Sequence, residues 1–477
     1  MLRPRSHAAF WLAALSFLPL FVWWLGWFPA FLSPDSLDQL TQADTGEFTN
    51  GHPAFHTILI WAITRVWDSP GAVSLVQIVA LAGVLGLVAR RLVELGTSLW
   101  AAVGAAWLVG LAPAVGPTAL SIWKDVAFTI AFLWVFAELL ALVRQGSAFW
   151  AHPPAAIRLG AALALLWLTR HNGFLTVLAV VVVLVIVFRN DLAPLAPAAA
   201  ALVAAVVLVM GPLYWVFSVE RERPAPGEVL LPLVASSYVH EPGSFSPADI
   251  ALLESIAPLE VWQERYDCDS GDRLLFDPEM NIAAIRSDPN PLLRLGLRTV
   301  ARDPDTSLGF LWCRASYLFV PAQPAEAFLQ RPPFAIPEND LGLTRDPISE
   351  AAYDFTREVY RVANDPAWLW LLWRPAVVIW AALATYAALA RPGTRHVLLP
   401  GSLLGAHLIN VAATSLNHEF RLAFPLYVAG IMSLPLLWFA ADPARLAAGA
   451  VVVDGGTLPN GNVGSVRPGQ GAPQGGE

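Results

Sequence analysis

The sequence predicts an all-α, polytopic membrane protein with about ten transmembrane helices and a large, mainly helical extracytoplasmic insertion. Of its 477 residues, 56% are hydrophobic and only 14% are charged, whereas soluble domains average about 25% charged residues. The apolar residues are also gathered in long runs, and a helix needs about 20 such residues to cross a bilayer. The chain has no basic tract, so a nucleic-acid partner is not expected.

The apolar runs predict ten spans in order along the chain. They are 9–32, 72–89, 98–116, 122–143, 155–169, 174–188, 195–217, 367–390, 397–415 and 422–440. The first run is longer than the apolar core of a signal peptide, and no small-residue cleavage site follows it, so we interpret it as an uncleaved span. Segment 54–67 is apolar but short, and it either crosses the membrane or lies along its surface.

The arginines indicate how segment 54–67 is placed. If it lies along the surface, one side of the membrane collects Arg3, Arg5, Arg90, Arg91, Arg144, Arg158, Arg189, Arg391, Arg395 and Arg445. This is the pattern of the positive-inside rule. If the segment crossed, Arg90 and Arg91 would move to the other side and break the pattern. We therefore expect ten spans with both termini in the cytoplasm.

This topology divides the chain into four parts. They are an N-terminal module of seven spans (1–217, with a first outer loop at 33–57), the insertion (218–366), a C-terminal module of three spans (367–440) and a cytoplasmic tail expected to be disordered (441–477). Within the insertion, helices are predicted at 247–256, 290–302, 306–319 and 348–364. The only two cysteines, Cys268 and Cys313, lie there and could form one disulfide.

The first outer loop is rich in polar side chains, with Asp35, Asp38 and Gln39 just after the first span. Asp35 is either a turn or N-cap residue, or a general base that takes a proton from an acceptor hydroxyl. For the second role we expect the membrane surface and neighbouring acids to raise its pKa. His52 and His56, at i and i+4, could bind a metal on a helix. Because Pro53 lies between them, a ligand-positioning or capping role is favoured.

Two further polar groups are predicted on the same side of the membrane. Asp125 is favourable at the start of the fourth span, whereas Lys124, the only lysine in the chain, opposes the helix dipole there. Lys124 therefore suggests an anionic partner, which could be Asp125, Asp35 or a phosphate. Arg170, followed by His171, ends a span where it could contact headgroups or a specific counter-charge.

The last polar group, Glu419 and Arg421, begins the final span. One interpretation is a pair of interface anchors. The other is that Arg421 binds a phosphate with two parallel hydrogen bonds, while Glu419 orients it or pairs with Lys124. Together with the first loop, these groups form four polar clusters, distant in sequence, on one membrane surface. We interpret them as one site.

In this order, the clusters resemble the GT-C superfamily of integral-membrane glycosyltransferases, most closely an uncharacterised bacterial branch. The resemblance is carried by Ser33-Pro-Asp-Ser36 with Gln39, Asn50-Gly-His-Pro53 with Thr57, Trp123-Lys-Asp125, Arg170-His-Asn-Gly173, and Glu419-Phe-Arg421 with Pro425. It extends over residues 9–440, although the insertion adds no motif. No single motif is decisive, and the resemblance depends on the whole set.

The resemblance implies a bacterial plasma-membrane enzyme of the cell envelope, with its site on the outer face and Asp35 as catalytic base. The donor would be a polyprenyl-phosphate sugar, transferred with inversion to a glycan, lipid or protein acceptor. Substrate-binding roles would fall to Asp38, Gln39, His52, His56, Lys124, Asp125, Arg170, His171, Glu419 and Arg421. Many relatives carry a metal-binding acidic pair two residues apart, whereas here the pair is Asp35 and Asp38. A role for Mg²⁺ or Mn²⁺ is therefore left open.

Three other classes of protein remain alternatives. A transporter or flippase places charges near the bilayer midplane and uses broken helices or inverted repeats, whereas these spans read as nearly free of charge and no repeat stands out. A polymerase or ligase of lipid-linked glycans would use the same substrates without requiring an acid in the first loop. A non-catalytic envelope scaffold would tolerate alanine throughout the polar loops.

Overall fold

Helices make up the regular structure of this chain. The computed structural model describes residues 3–222, 226–323, 327–391 and 395–441, and within these ranges it contains no β-strand, only isolated bridges. Helices long and apolar enough to cross a membrane are Arg5–Gly26, Pro70–Leu95, Lys124–Gln145, Ala193–Val216, Pro366–Leu389 and Phe420–Ala440. Helices of this kind are those of a multi-pass membrane protein.

Four of the ten predicted spans coincide with shorter apolar helices. These are Leu99–Leu111, Pro153–Leu168, Gly173–Val187 and Leu398–Thr414. A helix of 13 residues, the length of Leu99–Leu111, rises about 20 Å, which is less than the roughly 30 Å of the hydrocarbon core. The number of spans therefore stays a prediction. Helix Ala54–Thr64, in the segment expected along the membrane surface, has 11 residues.

Several long helices are interrupted, mostly at proline, which lacks an N–H and clashes with the preceding turn. The first comprises Arg3–Ala14 and Phe17–Gly26. Another runs from Ala193–Leu195 through Ala196–Leu208 and a π-helical turn, Val209–Leu213, to Tyr214–Val216. A third divides into Pro366–Leu372 and Ala376–Leu389. The last comprises Phe420–Ser433, Leu434–Leu436 and Leu437–Ala441.

Short helices occupy the connections and the region 218–366. Before that region they are Pro34–Thr45, Val115–Leu120 and Ser147–Trp150, and Arg395–Val397 precedes Leu398–Thr414. Residues 218–366 contain Pro226–His240, Pro242–Ser244, Pro247–Ile256, Leu259–Glu264, Asp272–Leu275, Ile282–Ser287, Asn290–Arg302, Pro304–Phe319 and Glu350–Ala363. Each of the four helices predicted there is present, with its ends within two residues of the expected positions. The other short helices were not predicted.

Two of the helices predicted in the region 218–366 begin at a capping side chain, Ser246, which was expected, and Asp303, which was not. The hydroxyl of Ser246 accepts a hydrogen bond from the backbone N–H of Asp249, whose carboxylate accepts one from the Ser246 N–H. Asp303 caps helix Pro304–Phe319 by accepting from Thr306 N at 3.0 Å. Such caps satisfy N–H groups that have no partner within the helix. The start at Pro247 agrees with the prediction, whereas helix Pro304–Phe319 begins two residues before the predicted start at 306.

The region 218–366 has two differently packed parts. Its first part has a hydrophobic core of its own, which includes Leu231, Val234, Trp262 and Leu295. Its later part belongs to the core of the apolar helices, through Tyr317, Leu329 and Tyr360.

This later part lies against the first long helix. Trp27 Nε1 donates to Thr356 Oγ1 at 2.8 Å, and the Arg345 guanidinium stands 4.3 Å from the Trp27 ring centroid. At Gly26 a side chain would collide with the backbone of Ala352, only 2.8 Å from where its Cβ would stand. Glycine therefore permits the close approach of helix Glu350–Ala363. The expected tail, beyond residue 441, and Arg445 within it lie outside the described residues.

Candidate active site

The helix Pro34–Thr45, called here the first-loop helix, places Asp35 in its first turn. Ser33 is the N-cap, and its hydroxyl exchanges hydrogen bonds with Ser36 in a capping box. Trp123 Nε1 also donates to Ser33 Oγ at 2.8 Å. The expectation that Asp35 could be the N-cap is therefore wrong, because Ser33 has that role and Pro34 occupies the first helical position. The hydrogen bond between Trp123 and Ser33 also holds the backbone turn that carries Asp35 against the start of helix Lys124–Gln145.

Asp35 meets Arg421 from the other end of the chain. Arg421 Nη1 donates to Asp35 Oδ2 at 2.6 Å, while its Nε donates to Glu419 Oε2 at 2.5 Å. Asn417 Nδ2 holds the second oxygen of Glu419 at 2.7 Å, and the ring centroid of Trp123 is 5.3 Å from the Arg421 guanidinium carbon. Glu419 was expected either to orient Arg421 or to pair with Lys124, and in the structure its carboxylate binds and orients Arg421.

The environment of Asp35 sets its protonation state. Burial by itself would raise its pKa, but the charges of Arg421 and Lys124, followed by His52 and the Arg421 hydrogen bond, outweigh burial and hold the pKa well below its usual range. The expectation that neighbouring acids raise the pKa of Asp35 is therefore wrong. The cations nearby dominate, and Asp35 is a carboxylate paired with Arg421.

Lys124 hydrogen-bonds a histidine, and among the described residues neither Asp35 nor Asp125, the two carboxylates considered from sequence, forms a hydrogen bond or ion pair with it. Its Nζ lies 2.6 Å from His52 Nδ1, while His52 Nε2 lies 3.8 Å from Asp38 Oδ2. Burial first, and the Lys124 charge second, lower the pKa of His52 to about 4. His52 is therefore neutral near pH 7, and Nδ1 can accept a hydrogen bond from the ammonium group.

Arg170 and Asp125 form a second ion pair. The Arg170 guanidinium bonds Asp125 Oδ1, and its Nε donates to Asn172 Oδ1 at 3.0 Å. Burial lowers the pKa of Arg170 to about 10, so it remains charged near pH 7. The specific counter-charge expected for Arg170 is thus Asp125. This ion pair lies within the site. Among Lys124, Arg170 and Arg421, Lys124 is therefore the cation that has no carboxylate hydrogen-bond partner in the described chain.

The remaining predicted residues support the first loop. Gln39 is buried and donates from Nε2 to Thr57 Oγ1 at 2.9 Å, joining the first-loop helix to helix Ala54–Thr64. His56 is buried in that helix, whereas His52 lies before its N-cap, Pro53. His171 interacts with the backbone of Asn50, and burial followed by the Lys124 charge lowers its pKa.

The segment Asn417–Arg421 is held in place by contacts with the region 218–366. Asn417 forms a bridge with Ser270, and Glu419 forms one with Gln330. Arg314 Nη2 donates to the carbonyl of Leu416 at 2.7 Å. These contacts fix Glu419 and, through it, Arg421.

The two cysteines lie beside the same segment. Cys268 and Cys313 are joined in a disulfide with their Cα atoms 6.1 Å apart. His418 Nε2 is 3.0 Å from the Cys313 carbonyl oxygen, and His418 N donates to the Asp269 carbonyl at 2.9 Å. The disulfide therefore joins two segments that both contact the loop carrying Glu419 and Arg421.

A buried polar network behind Arg170 was missed in the sequence. Asn410 Nδ2 donates to the Asn172 carbonyl at 2.9 Å and to Thr176 Oγ1 at 3.0 Å, and Asn172 Nδ2 donates to Thr414 Oγ1 at 2.9 Å. His407 extends it to the Leu422 carbonyl, 3.2 Å from Nε2. The available signal was the spacing of His407, Asn410 and Thr414 at i, i+3 and i+7 within an apolar run, which places them on one helix face.

An ion pair within the apolar helices was also missed. Glu138, 1% exposed, accepts from Arg158 Nε at 3.1 Å and from Nη2 at 3.4 Å. Glu138 therefore gives helix Lys124–Gln145 a buried acid that was not singled out in the sequence. Both carboxylate oxygens are satisfied, as a buried acid requires.

The site residues do not form a set of metal ligands. In the described ranges, three His, Cys, Asp or Glu ligand atoms come together only at Cys268, Asp269 and Cys313, and these two sulfurs are bonded to each other. The Asp35 carboxylate is paired with Arg421, and the Asp38 carboxylate accepts a hydrogen bond from Gln42 Nε2 at 2.8 Å.

No family model, curated protein or solved structure matches this chain. Its function is therefore argued from the site itself.

Proposed function

We propose that this chain is a membrane glycosyltransferase that moves a sugar from a polyprenyl-phosphate donor to an extracytoplasmic acceptor hydroxyl, with inversion. The observation that carries the proposal is the contact of Asp35 with Arg421, 2.6 Å long, beside Lys124. A carboxylate that can accept a proton and cations that can hold a phosphate are the two charges this reaction requires. Ten spans, cytoplasmic termini and a site on the outer face of a bacterial plasma membrane belong to the same proposal.

The bond changes balance in one displacement. The acceptor oxygen forms a bond to the anomeric carbon while the bond from that carbon to the phosphate oxygen breaks. The electron pair of the broken bond stays on the polyprenyl phosphate, and the hydroxyl proton goes to Asp35. Attack from the face opposite the leaving phosphate inverts the anomeric centre, as in single-displacement glycosyl chemistry.

Arg421 has two roles in this scheme. Paired with Asp35 it holds that carboxylate at a low pKa, where it is a weak base. A donor phosphate competes for the same guanidinium, because phosphate accepts two parallel N–H bonds from arginine. As the phosphate takes part of the Arg421 hydrogen bonding, the pKa of Asp35 rises and the carboxylate becomes a better proton acceptor. Donor binding thus prepares the base.

Lys124 is the second cation for the phosphate. Its Nζ is held by His52 and not by a carboxylate, so its charge is available to a ligand. Negative charge grows on the leaving phosphate in the transition state, and a fixed cation stabilises it. Arg170, already paired with Asp125, contributes through position and not as a free cation.

The test is transfer by an Asp35→Asn protein in lipid nanodiscs. Release of polyprenyl phosphate is measured from a panel of synthetic polyprenyl-phosphate sugars, with membrane extract as the source of acceptor. We expect a loss of about 10²–10⁴-fold, the usual contribution of a general base, while co-purified polyprenyl phosphate seen by native mass spectrometry is retained.

Asp44→Asn is the matched control, since Asp44 is exposed at the far end of the same helix. It should release polyprenyl phosphate at the wild-type rate. Near-normal release by Asp35→Asn would show that Asp35 is not the base. A wild-type protein that releases nothing from any donor of the panel would contradict the transferase itself.

A further inference from the structure

A polar cavity lies beside the first-loop helix. His52, which is hydrogen-bonded to Lys124, is one of the residues that line it. Its volume is about 920 Å³, near the upper end of the roughly 300–1,000 Å³ that ligand sites occupy. The described residues that line it come from the first-loop helix, the loop 46–52, residues 218–222 and Arg286. Almost all of them offer hydrogen-bonding groups.

The cavity and Asp35 share one face of the first-loop helix. Asp38, Gln42 and Thr45 line the cavity, and with Asp35 they stand at positions 35, 38, 42 and 45. This i, i+3, i+7, i+10 spacing puts their side chains in one row along the helix. The cavity wall therefore begins at Asp38, about one helical turn from the carboxylate proposed as the base.

The lining combines hydrogen-bond acceptors with groups that both donate and accept. The carboxylates of Asp38, Glu47, Glu220 and Glu222 accept, and the hydroxyls of Thr41, Thr45, Thr49 and Ser218 do both. Such a surface matches a ligand that carries many hydroxyl groups. Phe48 supplies the apolar ring among the lining side chains.

The charge of the lining decides which ligands fit. Four carboxylates face one cation, Arg286, and Arg286 Nε already donates to Glu228 Oε1 at 2.7 Å. Burial first, then the charges of Asp35 and Glu222, raise the pKa of Asp38 against the effect of its Gln42 bond, as expected where acids are crowded. An anionic group would be repelled, so the donor phosphate belongs with Lys124 and Arg421.

From these features we propose that the cavity is the acceptor site and that its ligand is an uncharged glycan, which presents a sugar hydroxyl to Asp35. This deepens the proposed function and rests on it for the reaction. The binding claim can be tested separately, because it needs neither the donor nor turnover.

The experiment uses the full chain with one introduced thiol. The two native cysteines are in a disulfide, so Thr45→Cys places the only free thiol of the described chain on the cavity wall. Its rates of modification by a cationic and by an anionic methanethiosulfonate reagent are compared. We expect the cationic reagent to react at least about tenfold faster, because a charged cleft enriches counter-ions by about 10–10³-fold. Glu220→Gln with Glu222→Gln should reduce that ratio.

Ser255→Cys, on the exposed surface of helix Pro247–Ile256, is the matched control and should show a ratio near one. Neutral disaccharides at millimolar concentration (maltose, lactose, cellobiose and mannobiose) are then tested for protection of the Thr45→Cys thiol, with digalacturonate as the anionic comparison. Protection by a neutral disaccharide, weakened by Gln42→Ala, is expected.

A ratio near one at Thr45→Cys, protection by digalacturonate alone, or no protection by any saccharide would overturn the proposal. If a disaccharide protects the Thr45→Cys thiol, also in Asp35→Asn, but the wild-type protein turns over no donor of the panel, the glycan site is supported and the transferase is rejected. If no disaccharide protects the thiol but the wild-type protein transfers sugar, the transferase is supported and the glycan site is rejected.

Discussion

At the scale of single residues, the arrangement around Arg421 is the least replaceable feature of the site. Its guanidinium lies between Asp35 and Glu419, and Asp35 is about a third exposed whereas Glu419 is almost fully buried. Losing the cation would leave two carboxylates facing each other, and breaking a buried pair in this way costs about 3–5 kcal/mol. Lysine cannot replace it, because one ammonium lacks the fork that reaches both acids.

His52 provides a test of the site's electrostatics through pH. Its pKa is about 4 in the native state and about 6.5 in an unfolded chain. Between these values only the unfolded chain binds the proton, so native stability falls as the pH is lowered from about 6.5 to 4 and His52 adds no further slope below that. The slope from this residue is about 1.4 kcal/mol per pH unit at most.

We expect His52→Gln to flatten the fall of the melting temperature between pH 6.5 and 4, because glutamine can still accept from Lys124 but does not titrate. The melting temperature is measured by differential scanning fluorimetry in nanodiscs, with His152→Gln, at an exposed position, as the control. A slope unchanged by His52→Gln would mean that burial and the Lys124 charge do not lower the His52 pKa in the folded protein.

At the scale of elements, the cap of the first-loop helix connects stability to activity. Ser33 Oγ accepts from Ser36 N and from Trp123 Nε1, so it both starts the helix and fixes the turn that carries Asp35. Ser33→Ala should lower stability by about 1 kcal/mol, the typical value of an N-cap, and should also reduce polyprenyl-phosphate release.

Ser246→Ala is the matched control for this prediction, since Ser246 makes the same capping box at helix Pro247–Ile256. It should cost similar stability in denaturant or thermal unfolding and leave release unchanged. Equal loss of release in both variants would attribute the effect to stability alone.

At the scale of the whole molecule, the proposed topology makes a specific prediction for fusions. Alkaline phosphatase inserted at the exposed turn around Glu279 should be active, and green fluorescent protein fused after residue 477 should fluoresce, because the first matures outside and the second inside the cytoplasmic membrane. A fluorescent fusion at Arg90, near the end of helix Pro70–Leu95, should also fluoresce. A dark fusion there would mean that Ala54–Thr64 crosses the membrane and that the order of sides is reversed from that point.

Much of the fold could be predicted because its signals are local. The apolar runs gave the long helices, and Ser246 marked a helix start through capping contacts made within three residues. The caps Ser33 and Asp303 were not predicted as such: Asp35 was considered in place of Ser33, and helix Pro304–Phe319 was expected to begin at 306. Short helices such as Asp272–Leu275 escaped prediction, because they contain barely one turn and depend on the packing around them. The split of region 218–366 between two hydrophobic cores could not be predicted either, since it depends on long-range contacts.

The sequence by itself determined the helical membrane class and many of the helix boundaries, since hydrophobic runs and caps act over a few residues. Only the tertiary structure decided which charges meet. Arg421 pairs with Asp35, 386 residues away in the chain. Lys124 hydrogen-bonds His52, and Arg170 pairs with Asp125. The direction of the Asp35 pKa follows from those pairings, because a Coulomb energy depends on the distance and burial of its partners, and neither is written in the order of the residues.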